Sequence, residues 1–136
     1  MREILFRGKA VNLNNGSKDF VFGQYVQNRN GKMIYSDTWE DGVQKHYVIE
    51  NTVGQYTGLT DKNGTKIFEG DIVAGAVWWQ EQAKNGIVVF KDGSFGLLWY
   101  RGEVEQFNAF TSMCNIEYEV IGNIHDNPEL LKGGAE

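Results

Sequence analysis

The chain has 136 residues and a formal net charge of −5; 41% of its residues are hydrophobic and 13% aromatic. That length fits one domain, and the apolar content is enough for an independent core and too high for intrinsic disorder. Arg2, Arg7, Lys9, Lys45, Lys62 and Lys66 are scattered among acids, which disfavours nucleic acid and anionic membranes, since both recruit a clustered basic face.

At the start, Ile4-Leu5-Phe6 is an apolar run bounded by Glu3 and Arg7. It is too short for a secretory signal, and no later segment is long enough to span a bilayer. Strands are expected near Glu3–Leu13, Phe20–Gln27, Lys32–Ser36, Lys45–Glu50, Gly54–Tyr56, Lys66–Phe68, Asp71–Trp78, Gly86–Lys91, Gly96–Tyr100 and Glu117–Ile124. These runs are short and rich in β-branched and aromatic residues. Between them stand Asn14-Asn15-Gly16, Asn30-Gly31, Asp41-Gly42, Asn63-Gly64, Asn85-Gly86 and Asp92-Gly93. Asn or Asp before Gly tolerates positive φ and favours hairpins whose twist matches the flanking strands.

Two helical pieces interrupt the pattern. Val104, Phe107, Phe110 or Thr111, and Cys114 recur at helical spacing, which predicts one short helix near 103–114. Asn127-Pro128-Glu129-Leu130-Leu131 has a capping residue, a proline at the first helical position and an acid at the positive end of the dipole, so a short C-terminal helical turn is expected there.

The fold class is therefore mainly β: a small antiparallel β domain over residues 1–136. Residues 1–52 form an N-terminal hairpin region and 53–132 a denser core. Within that core, Glu69-Gly70-Asp71 entering Ile72-Val73 suggests a partly closed Src-homology-type barrel over about 53–124, by analogy alone.

Few residues qualify for site chemistry. Asp61, Asn63 and Gly64 superficially suggest a calcium loop, but its sixth and twelfth positions would hold Lys66 and Ile72 in place of Gly and Glu. Asp61, Asn63, Gly64, Glu69, Gly70 and Asp71 read as turn residues, the two acids of the bend as solvated. Cys114, His46 and His125 are too few for zinc without carboxylates, and a lone Cys114 on a helix face reads as packing. A single cysteine forms no internal disulfide, which favours a reducing compartment. Gly93-Ser94-Phe95-Gly96 has Asp92 where a nucleophile elbow needs glycine. No Walker-type loop occurs.

The aromatic pairs Trp78-Trp79 and Trp99-Tyr100 are the candidate interaction surface. Adjacent strand residues point to opposite faces, so one ring of each pair leaves the core. Together with Lys91-Asp92-Gly93-Ser94-Phe95-Gly96-Leu97 they loosely echo the base-stacking strands of cold-shock barrels. Packing or a protein interface is the plainer reading.

Three strings carry a resemblance: Met1-Arg2-Glu3-Ile4-Leu5-Phe6-Arg7; Gln55-Tyr56-Thr57-Gly58-Leu59-Thr60-Asp61-Lys62-Asn63-Gly64-Thr65-Lys66-Ile67-Phe68-Glu69-Gly70-Asp71-Ile72-Val73; and Tyr118-Glu119-Val120-Ile121-Gly122-Asn123-Ile124-His125-Asp126-Asn127-Pro128-Glu129-Leu130-Leu131. Together they resemble the YopX family, small proteins of bacteriophages and prophages, with Asn12–Tyr47 and Trp78–Lys84 matching less clearly. The resemblance implies a β-rich phage protein of unassigned activity and supplies no catalytic residues. The resulting expectation is a non-enzymatic accessory protein without cofactors, cytoplasmic in a bacterial host, that binds a protein partner or associates with itself as a homo-oligomer. The alternative is single-stranded nucleic-acid or nucleotide binding through Trp99–Tyr100.

Overall fold

A computed structural model describes residues 3–11, 19–74, 85–110 and 118–133. The chain divides into two compact units, Met1–Gly58 and Leu59–Glu136. The division falls inside a strand.

In the first unit the strands are β1 (Phe6–Lys9), β2 (Phe20–Asn28), β3 (Gly31–Thr38), β4 (Gly42–Tyr47) and β5 (Gly54–Thr60), the last running on into the second unit. They lie in the order β4-β3-β2-β1-β5, each pair of neighbours antiparallel. The β2–β3 and β3–β4 connections are tight hairpins, with Asn28 opposite Gly31 and Thr38 opposite Gly42. The sheet curls: Ala10 bridges Val48, the Val11 amide donates to the Tyr47 carbonyl at 2.8 Å, and that of Ile49 to Lys9 at 3.0 Å. A 3-10 turn, Glu50–Thr52, is pinned by Thr52, whose hydroxyl accepts from the Lys9 amide and donates to the Ile49 carbonyl. Met33, Ile34, Val48 and Tyr56 are buried. Arg7 is buried too, its guanidinium 4.3 Å from the Phe20 ring, an arrangement that suits a planar cation with an apolar stem.

The second unit holds β6 (Lys66–Phe68), which is hydrogen-bonded to β5, then β7 (Asp71–Ala74), β8 (Gly86–Lys91), β9 (Ser94–Arg101), β10 (Val104–Ala109), β11 (Glu119–Asn123) and α1 (Glu129–Gly133). Five of them form an antiparallel sheet in the order β10-β9-β8-β7-β11. Its core is Ile67, Val73, Val88, Leu97, Trp99, Phe110 and Tyr118, with Phe95 and Val120 packed against it. The architecture is mainly β with two open antiparallel sheets, in keeping with partial closure, and α1 is the expected C-terminal helical turn.

One element differs from expectation. Residues 104–109 form a strand, not the first part of a helix near 103–114; residues 111–114 lie outside the described residues. Two-residue hairpins explain why. Lys91 faces Ser94 across Asp92 (φ 53) and Gly93 (φ 82), a pair of positive φ values that favours hairpin closure. Arg101 likewise faces Val104 across Gly102 and Glu103. The alternation in β10 is hidden because a core-side position is polar: Asn108 accepts a hydrogen bond from the Trp99 indole at 2.7 Å. With Asn there, the apolar residues left at 104, 107 and 110 mimic helical spacing.

Candidate functional site

Asp61 follows β5 and its side chain is buried. One carboxylate oxygen accepts the amides of Asn63 and Thr65, each at 2.9 Å, closing the β5–β6 turn. The other accepts the amide of Val120 in β11, also at 2.9 Å. Burial opposes the negative charge, but the three backbone donors, with Lys62 adding a positive charge, outweigh it and hold the carboxyl below its ordinary value. Around this node the Lys62 amide donates to the Tyr118 carbonyl at 3.0 Å and the Asn63 side-chain amide to Glu119 at 3.2 Å.

A second junction lies at the bend Glu69-Gly70-Asp71. Asp71 is 2% exposed and accepts the Phe68 amide at 2.8 Å. Gly70 donates to the Val88 carbonyl and accepts the Ile124 amide. Glu69 is half-buried. The expectation of solvated acids is therefore corrected at Asp71: its carboxylate turns inward because the backbone donor it satisfies is itself buried.

The third junction follows β11. The Asn123 side chain accepts the amides of His125 and Asp126 and donates to the Asp126 carboxylate, while Asn127 accepts the Asn123 amide. Asn85 then donates to the Leu130 carbonyl at 2.8 Å. These contacts, with the pairing of Val73 and Val120, bring residues 59–73 and 118–131, the greater part of the two long strings, together at the second unit's core. What those residues do here is satisfy one another's backbone groups.

The aromatic candidates separate. Trp99 is 4% exposed within the core, its indole bonded to Asn108. Tyr100, the next residue, is 49% exposed. Trp78 and Trp79 lie outside the described residues, as does Cys114. On the same sheet, Phe90 is exposed and meets Phe95 edge-on at 5.0 Å. Lys91 bridges to Glu105 at 3.3 Å.

Trp39 escaped the sequence reading. It sits at the β3–β4 hairpin tip with a relative exposure of 105%. The signal was present: a large aromatic in the turn closed by Asp41-Gly42, where small polar residues are the rule.

Constellations for chemistry are sparse among the described residues. Ser36 Oγ lies 3.2 Å from His46 Nε2 on adjacent strands, a cross-strand hydrogen bond between half-buried side chains. No group of three or more His, Cys, Asp or Glu among the described residues is placed to hold a metal ion. No helix among them is long and apolar enough to cross a membrane.

A comparison with curated proteins returned no match. Among solved structures, the crystal structure of protein EF1440 from Enterococcus faecalis is similar in fold, with a TM-score of 0.60 and 22% sequence identity, covering 96% of this chain and 99% of that one. The family described as YopX protein matches residues 7–132. With that match spanning both junction-forming strings and most of the sequence, the chain belongs to the YopX family.

Proposed function

We propose that this protein is a phage or prophage accessory factor that acts by binding protein and not by catalysis, with a second copy of itself as the first partner. The observation that carries this reading is the edge of the second unit's sheet. β10 pairs with β9 on one side and, among the described residues, with no strand on the other. Val104 at its start is 60% exposed, and Tyr100 on the neighbouring β9 is 49% exposed. An edge strand offers a row of backbone donors and acceptors, and exposed apolar side chains on it favour pairing with another chain. Aromatic residues are enriched at such contacts.

The phage setting rests on the family, and the single cysteine supports action in a reducing cytoplasm. Stacking on single-stranded nucleic acid is less well supported, because Trp99 lies in the core and the net charge of −5 repels phosphate.

Sedimentation equilibrium over a wide concentration range tests the reading. The expected result is a species heavier than one 15.4 kDa chain, reduced to one chain by the paired substitution Tyr100→Lys and Val104→Lys. A wild-type protein that stays monomeric throughout sinks the self-association.

A further inference from the structure

The β3–β4 hairpin points to a second contact surface, distinct from the β10 edge and independent of the self-association proposed above. Trp39 contributes nothing to the packing of its own unit, being fully exposed. Isolated exposed apolar residues are ordinary on protein surfaces, but three features set this one apart. It is the largest side chain type, placed at a turn that normally takes small polar residues. The turn is built to hold it: Gly42 has φ +68 with open space around it, and the Asp41 amide donates to Thr38 Oγ1 at 3.0 Å. Across the hairpin from Asp37, Val43 is also exposed, at 68%.

The charge around Trp39 has one sign. Asp37, Glu40 and Asp41 are all exposed, and no Lys, Arg or His occurs between Lys32 and Lys45. An acidic collar repels phosphate, anionic lipid and, at a net charge of −5, a second copy of this chain. It attracts a basic surface. A rigid aromatic loses little conformational entropy on insertion, and tryptophan is among the residues that dominate interface energies.

We propose that this hairpin tip is a docking knob for a different protein, one presenting an apolar slot rimmed by Lys and Arg. Trp39 enters the slot; Asp37, Glu40 and Asp41 meet the rim and speed the encounter.

The full chain and its Trp39→Ala variant are panned against the same random-peptide display library. Expected are peptides enriched by the wild type alone, with net positive charge and at least one large apolar residue. A synthetic copy of one such peptide should lose about tenfold or more in affinity on Trp39→Ala. The triple variant Asp37→Asn, Glu40→Gln, Asp41→Asn should weaken binding and flatten its salt dependence. Because Trp39 packs against nothing, the unfolding midpoint should not move, which separates lost docking from lost fold. Equal enrichment by both proteins, no enrichment, neutral or acidic winners, or binding indifferent to salt overturns the proposal. So does tighter binding to anionic vesicles or oligonucleotides than to the selected peptide. The mass of Trp39→Ala in solution should equal that of the wild type; a lighter species would assign the tip to a copy-to-copy contact instead.

Discussion

Asp61 and Tyr118 are neighbours in the second unit's turn network, and they titrate in opposite directions. Replacing Asp61 by Ala strands the amides of Asn63, Thr65 and Val120, and should cost about 3 kcal/mol in a urea unfolding experiment. Its folded-state pKa lies below the ordinary 3.8. The stability it contributes is therefore complete above that value and drains away as pH falls through the lower folded-state value. Unfolding curves recorded from neutral pH down into acid should show this loss in the wild type and a smaller one in the Ala variant. For Tyr118, burial pushes the phenol from 10.0 up to about 12. The unfolded chain ionises first, so its contribution is full below 10.0 and is lost as pH rises toward about 12. Tyr118→Phe should remove that alkaline component, read from unfolding midpoints on either side of pH 10.

At the scale of elements, β9 and β10 approach so closely that only glycine fits at residue 96. A Cβ there would stand 2.4 Å from the Asn108 carbonyl oxygen and 2.7 Å from the Phe107 ring. Gly96→Ala should destabilise by about 2 kcal/mol, the scale of overpacking, and hydrogen exchange should quicken first at the β10 amides. The same strand shows how far local pattern reaches. Asp92-Gly93 announced its hairpin because turn chemistry is a property of adjacent residues. β10 was misread as helical because its alternation depends on Asn108 serving Trp99, a partner nine residues away on the neighbouring strand. Which ring of Trp99-Tyr100 turns inward is likewise a matter of register.

For the molecule as a whole, charge is the property most directly carried from composition to behaviour. With 18 acids against 13 Lys and Arg, the isoelectric point is near 5.0, so turbidity plotted against pH should peak there, where mutual repulsion vanishes. The candidate surfaces were less legible than the fold. Of the four aromatics singled out, Trp99 is a core residue and Tyr100 is exposed, while Trp78 and Trp79 fall outside the described residues. Trp39 lay unremarked in a turn.

The amino-acid sequence alone determined the β class, the turns at Asn30-Gly31, Asp41-Gly42, Asn63-Gly64 and Asp92-Gly93, the C-terminal helical turn and the acidic character, because periodicity, turn chemistry and net charge are local or additive; Asn14-Asn15-Gly16 lies outside the described residues. Only the tertiary structure decided that Asp61 and Asp71 are buried acceptors, that residues 104–109 are a strand, and that Trp39 stands clear while Trp99 is enclosed. Those outcomes rest on partners distant in the chain: Val120 reaches Asp61 across 59 positions, and no spacing rule within either segment specifies that meeting.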